Sequence, residues 1–293
     1  MRPTPRVSVI ITTYNRAALL KEAIESVLAQ SYRDYELIVA DDGSTDDTAE
    51  QMTTLVGTLR YLKLVHSGKP EVARNEAIAQ ARGHFFAFLD DDDLWHEEKL
   101  ARQMAVLERD EGFGYAYTDC RILDADESLS PPVLPPHHKE SHAVFDNLLQ
   151  GCFVHPSTVV MRRTLFEAVG PFDESFLCQG DYYLWLRAAR AAPVVCVPEP
   201  LVYVRRPAAG LSRQRQLLNV ENAILVLERL RQQEPLTWRQ RWLSRRALSR
   251  WYATLGLRRE PGSLARGHLL QSLRLNPLQR TAWQALITTL RPL

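Results

Sequence analysis

The sequence has few of the features that would place it at once. No apolar run approaches the roughly 18 residues of a membrane-spanning helix. The four cysteines, Cys120, Cys152, Cys178 and Cys196, contain no CxxC pair, which argues against a zinc site or disulfide framework and for buried free thiols. No GxGxxG follows the first strand-like run, so the dinucleotide fingerprint is missing, and no GxxxxGK[ST] marks a P-loop. The first six residues lead directly into that run with no secretory apolar region, so a cytosolic chain is expected. Lysine is missing from residue 205 onward, where there are 17 arginines and 4 glutamates, a net charge of +13. The residues before it carry a net charge of −12. An acidic body with a basic tail suits contact with an anionic surface, phospholipid or a phosphate-bearing acceptor. A solvated helical face, or pairing of tail with body, accounts for the same charges.

What is present is an ordinary globular composition, 45% hydrophobic and 24% charged, in a chain of 293 residues, long enough for a substantial core. Its organising stretch is His84 to Trp95, where Phe85-Phe86-Ala87-Phe88-Leu89 runs into Asp90-Asp91-Asp92-Asp93. A short apolar run reads as a buried strand. Four adjacent carboxylates repel, so they need solvent or a cation; a solvated acidic turn and a metal site both satisfy them. Val7–Thr13 reads as a first strand, and Asn15 as the cap of a helix whose Leu20, Ala23, Ile24, Val27 and Leu28 share a face. Tyr35–Ala40 is a second strand, closed by Asp41-Asp42-Gly43. A third apolar stretch lies near Tyr61–Val65, followed by a helix turning Val72, Ala73, Ala77 and Ile78 inward. This β-α-β-α-β order predicts an α/β fold with a mainly parallel sheet flanked by helices. It brings Thr12–Tyr14, Asp41–Asp42 and Asp90–Asp93 to the carboxyl ends of separate strands, where open α/β sheets bind ligands.

Val7–Arg16, Val39–Thr48, Ala73-Arg74-Asn75 and Phe88–Asp93 stand in the order and spacing of family 2 glycosyltransferases, which the chain resembles most over roughly residues 5–115. The resemblance implies a GT-A fold and an inverting, metal-dependent transfer of sugar from a nucleotide diphosphate, most commonly a UDP-sugar. It places Thr12, Tyr14 and Asp42 at the base and ribose, and Arg74 near the diphosphate. Asp90 and Asp92 take the two acidic positions of the DXD motif: Asp92 as metal ligand, and Asp90 or Asp91 acting on the sugar or through water, with Asp90 the second candidate ligand. Mn²⁺ or Mg²⁺ is the implied cofactor. Asp181, after Gln179-Gly180, matches the catalytic base, where a helix start favours its ionised form. Taken alone, Asp42 is also an ordinary turn residue, Arg74 a surface arginine and Asp181 a helix cap.

Two positions depart from the family pattern. Gly180 replaces the usual acidic residue before the base, and no histidine stands near Pro207, so Arg205 or Arg206 is expected to act on the diphosphate. Residues 1–115 are expected to hold the donor, 116–210 the acceptor, and 211–293 to form a basic helical extension. The implied acceptor is a glycan or lipid-linked hydroxyl, with no nucleic-acid partner; from charge alone, the basic helices are expected to make peripheral contact at the inner membrane face. Asp124–His142 reads as a surface loop over the site, and His155–Arg162 as a strand at the sheet edge. Leu217, Val220, Ala223, Ile224 and Leu227 mark one helix of the extension. Ala265, Leu269, Ser272 and Leu273 mark another, stopping at Asn276-Pro277, and Trp283, Leu286, Ile287 and Leu290 a last short one. A non-catalytic sugar-nucleotide-binding protein of the same fold is the rival reading; a nucleotidyltransferase lacks its Gly-rich loop after the first strand.

Overall fold

The computed structural model describes residues 4–55, 57–139, 141, 144–206, 213–260 and 262–290. Its elements are β1 (Val7–Thr13), α1 (Ala17–Leu28), β2 (Tyr35–Asp41), α2 (Thr48–Thr53), β3 (Arg60–Lys63), α3 (Pro70–Gln80), β4 (Phe85–Asp90) and β5 (Leu94–Trp95). Then follow α4 (Lys99–Arg109), β6 (Tyr115–Leu123), α5 (Val144–Leu148), β7 (Val159–Arg162), α6 (Arg163–Val169), α7 (Gly180–Ala191) and β8 (Val194–Arg205). The helices α8 (Arg213–Gln233), α9 (Trp238–Arg258), α10 (Ser263–Leu275) and α11 (Arg280–Leu290) complete the order. The chain divides into two compact units: Met1–Val144 with Phe153–Glu174 and Arg187–Ala208, and Phe145–Cys152 with Ser175–Leu186 and Ala209–Leu293. Pro207 lies outside the described residues.

Among the described residues, the first unit is an α/β layer structure on one sheet of eight strands, in the order β3-β2-β1-β4-β7-β6-β8-β5. The run β3-β2-β1-β4 is parallel, as the alternation of strands and helices predicts. Every residue of β1 is buried, because helices cover both faces of such a strand. α1 contributes Leu20, Ala23, Ile24 and Val27 to that core, and α3 buries Ala73, Ala77 and Ile78. β7 is not an edge strand. It runs antiparallel between β4 and β6, with Val159, Val160 and Met161 fully buried, so no edge is open there. β8 joins β6 in parallel and β5 joins β8 antiparallel. Register then sets the rim: Thr12 lies opposite both Ala40 and Asp90, and Thr13 opposite Asp41.

Asn15 does not cap α1. It adopts φ 53, a left-handed conformation that Asn tolerates, and its Oδ1 accepts from Thr45 N at 2.7 Å. The cap comes from elsewhere: Asp46 Oδ2 accepts from Ala17 N at 3.2 Å. Asp124–Lys139 runs beside β6 rather than free over the rim. Buried Asp119 accepts from Val133 N at 3.1 Å and Leu134 N at 2.9 Å, and pairs with Lys139 Nζ at 2.6 Å. Of the thiols, Cys120 and Cys196 are buried, whereas Cys152 is exposed.

The second unit is helical. α9 opens with a capping box between Thr237 and Gln240 and packs on α10 through small residues. A side chain at Gly256 would press against Leu269 at 2.8 Å, and the Ser249 and Ser272 hydroxyls each donate to the other's carbonyl, at 2.9 and 2.7 Å. Ala253, Leu269, Leu273, Ala282 and Leu286 form the shared core. Trp283 and Ile287 do not join Leu286 in it; both face outward, while Ala282 and Leu286, with Ala285 beside them, make up the covered side among the described residues. Tyr182–Leu186 of α7 are buried, with the Tyr182 hydroxyl donating to Leu148 O at 2.6 Å. Among the described residues no helix is long and apolar enough to cross a membrane.

Candidate functional site

The carboxyl ends of β1, β2 and β4 gather Thr12, Tyr14, Asp42 and Asp90–Asp93 on one rim, and α3 and β8 bring Arg74 and Arg205 to it. Asp181 belongs to the second unit, in the first turn of α7, two residues after Gln179, which has φ 67. A left-handed glutamine costs about 1 kcal/mol or more, and such outliers concentrate at functional sites.

At the β2 end, Asp42 is nearly buried and holds the 66–68 turn. Its Oδ1 accepts from Ser67 N and Oγ, both at 2.8 Å, and its Oδ2 from Gly68 N at 2.8 Å, with His66 Nδ1 at 3.0 Å. The turn comes this close because residue 43 is glycine: at φ 79, its missing Cβ would lie 2.9 Å from His66 N. The turn carries His66 onto Tyr14, where the rings stack at 4.1 Å with an interplanar angle of 20°. Tyr14 remains 40% exposed, so the stack presents an aromatic edge to solvent.

At the β4 end every carboxylate is partnered, and Asp91 and Asp92 share one arginine. Arg74 Nη2 lies 2.6 Å from Asp90 Oδ1. Arg16 Nη1 bridges Asp91 Oδ1 at 2.8 Å and Asp92 Oδ2 at 2.9 Å, and Thr13 Oγ1 donates to Asp91 at 2.7 Å. Buried Asp93 accepts from Ser157 Oγ at 2.6 Å and Arg205 N at 3.1 Å, with His155 Nδ1 at 3.3 Å. Arg205 also donates from Nε to Asp92 O at 3.2 Å and pairs with Glu22 at 2.7 Å. Burial pushes Asp91 up to about 6 against Arg16, and Asp93 up to about 7 against His155. Burial works on Asp90 in the same direction, but Arg74, His155 and Arg16 outweigh it and hold Asp90 below the usual carboxylate range.

One ligand atom from each of Asp90, Asp93 and His155 lies within 4.8 Å of the other two. Two oxygens and an imidazole nitrogen suit Mn²⁺ and are tolerated by Mg²⁺, so this donor set fits a divalent cation. Asp92 stands outside the trio, facing Arg16. Sequence reading therefore reached the rim carboxylates, Tyr14, Asp42, Arg74 and Arg205, and missed Arg16, His66 and His155. Arg16 lay within a motif already in view; His66 and His155 have no local signal.

The model of glycosyl transferase family 2 matches residues 8–170. The chain belongs to this family. It is similar to an Escherichia coli protein described as UDP-Glc:alpha-D-GlcNAc-diphosphoundecaprenol beta-1,3-glucosyltransferase WfgD. The match is 33% identical over 181 residues, 61% of this chain and 68% of that protein. Across the first curated relatives the chain spans from 33% to 68% of their length. Among solved structures, Staphylococcus aureus TarS 1-349 in complex with UDP superposes with a TM-score of 0.72 at 19% identity, covering 97% of this chain and 88% of that one. The mannosyltransferase PcManGT of Pyrobaculum calidifontis, in complex with GDP-Man and Mn²⁺, gives 0.63 at 18% identity, covering 98% and 85%. These likenesses establish the GT-A fold of the family.

Proposed function

We propose that this family-2 protein is an inverting, metal-dependent glycosyltransferase that moves a hexose from a UDP-sugar to a hydroxyl of a glycan or lipid-linked acceptor, at the inner face of a membrane. The carrying observation is the convergence, on one rim of the sheet, of an aromatic stack, four carboxylates and three arginines. The names of relatives support the details: WfgD is described with UDP-Glc and a diphosphoundecaprenol acceptor, and PcManGT was solved with Mn²⁺.

In this reading Tyr14, backed by His66, offers a face to the base, and Thr12 and Asp42 line the base and ribose. Asp42 holds the turn as well, so it receives a ligand only by sharing lone pairs already engaged by Ser67 and Gly68. Asp90 and Asp91 border the sugar. Arg74 and Arg205 are the diphosphate contacts, and Arg16 joins them; each now neutralises a carboxylate or glutamate and can transfer its charge to phosphate oxygens. Held by Asp90 with Asp92, or by Asp90 with Asp93 and His155, Mn²⁺ or Mg²⁺ would stabilise charge on the leaving group. Asp181 is the base, removing the acceptor proton as the hydroxyl attacks opposite the diphosphate.

The test is donor binding and transfer measured side by side. UDP-sugar with Mn²⁺, at 100 times its dissociation constant, should add about 2.7 kcal/mol of stability. Asp181→Asn should keep that shift and lose roughly 10²–10⁴-fold in transfer. Full transfer by Asp181→Asn removes the assigned base. Donor binding without turnover in the native chain favours a non-catalytic binder, and no response to any nucleotide sugar sinks the reading.

A further inference from the structure

The last helices of the second unit combine two properties that soluble surfaces keep apart. Between Trp238 and Leu290 there are ten arginines and one glutamate. The same segment exposes large apolar side chains: Trp238 is 82% exposed and Leu278 85%, with Trp242, Trp283 and Ile287 about half exposed. Trp238 and Trp242 stand one turn apart on α9, and Trp283 and Ile287 one turn apart on α11, so each pair shares a flank. Trp242 of the first pair lines a hollow of about 590 Å³ together with Arg245, Arg246, Leu278 and Arg280, and no acidic residue lines it. Trp283 is fixed beside it by its indole N–H, which donates to Pro277 O at 2.8 Å. The Arg246 guanidinium stacks over the Trp242 ring at 4.6 Å, so charge and indole form one unit.

We propose that this face docks the protein on an anionic phospholipid membrane. The indoles and Leu278 enter the headgroup boundary, where amphipathic rings are favoured. Arg246 and Arg280 meet lipid phosphates beside them. Exposed arginines alone would fit any polyanion. Three exposed tryptophans and a nearly bare leucine in the same helical segment, with Trp242 and Leu278 lining one hollow, favour a partner that also offers an apolar layer. The proposal rests on the membrane location in the proposed function and deepens it by naming the surface that makes the contact; it does not depend on the donor-site assignments.

Flotation of the full chain with phosphatidylglycerol–phosphatidylcholine vesicles tests it, against vesicles of phosphatidylcholine alone. Anionic vesicles should carry the protein in a salt-sensitive manner, and neutral ones should carry much less. Reversing two charges in R246E/R280E should lower the partition coefficient by roughly tenfold or more. W238A/W242A should weaken it too and flatten the dependence on lipid packing, since both rings are exposed and their loss leaves the helical core intact. Asp181→Asn should float like the native chain, so failure of the catalytic reading leaves this result standing. Equal binding to both vesicle types, unchanged binding by both variants at native melting temperature, or retention on nucleic acid with no flotation each overturns the proposal.

Discussion

Replacing Lys99 by methionine should stabilise the protein and remove part of its response to alkaline pH. Lys99 opens α4 with no exposed surface, and its Nζ lies 3.7 Å from the Trp95 ring centroid. Among the described residues that amine has no hydrogen-bond partner. Burial alone drives its pKa well below 10.5, so the folded protein favours the neutral amine. An unsatisfied buried polar group costs about 1–3 kcal/mol, which methionine, similar in length and apolar, should largely recover. In a unit of this size each kcal/mol is worth roughly 2–4 °C in melting temperature. The sign of the pH effect follows from protons bound. Between the folded value and 10.5 the unfolded chain holds a proton that the folded chain lacks, so stability rises with pH, by up to about 1.4 kcal/mol per unit. Lys99→Met has no such slope. Melting curves of both proteins from pH 7.5 to 9.5 should show the variant ahead, with its lead shrinking as pH rises. A variant that melts lower, or a lead that stays constant, refutes the reasoning. Donor-induced shifts should survive, because Trp95 keeps its indole bond to Ser157 O at 2.8 Å.

The metal-free protein should lose stability as pH climbs from about 4 to 7, since Asp91 and Asp93, raised to about 6 and 7, keep protons that the unfolded chain has released. Mn²⁺ affinity should rise by up to about tenfold per pH unit until Asp93 is ionised and then level off; isothermal titration at pH 5.5, 6.5 and 7.5 checks it, and a flat profile excludes Asp93 as a ligand. Tyr14→Ala should raise KM for the UDP-sugar by a few-fold to tenfold, the worth of one stacked ring, while kcat holds. A fall in kcat alone would move Tyr14 out of the base subsite.

The parts of the fold legible in the sequence are those where one local pattern decides the outcome. β1, β2 and β4 are buried on both faces and so read as apolar runs, each ending in polar residues. β6 and β8 did not read as strands. β8 contains Pro198 and Pro200, and its register against β6 shifts around Asp119, so alternation is broken where a strand would be sought. The same limit applies to the site. The rim carboxylates sit at strand ends and are visible one motif at a time. Arg16 meets Asp91 across 75 residues, and His66 meets Asp42 across 24, so only the fold joins them. Periodicity found α11 but not its buried side, which depends on how far neighbouring helices reach.

Asp119 governs how this protein tolerates change in length. One carboxylate holds Cys120, Val133 and Leu134 through their backbone N–H groups and Lys139 through its ammonium, so Val133–Lys139 is tied to β6 at both ends. The turn at 124–128 hangs outside that clasp, closed by Asp124 N donating to Ser128 O and Glu127 N donating to Asp124 O. Residues inserted at the turn would lengthen a tip without loosening the clasp, whereas a single deletion between Leu134 and Lys139 would pull a buried carboxylate away from its counter-charge. Relatives free to diverge here can therefore grow new surface at 124–128 while the sheet beneath keeps its register.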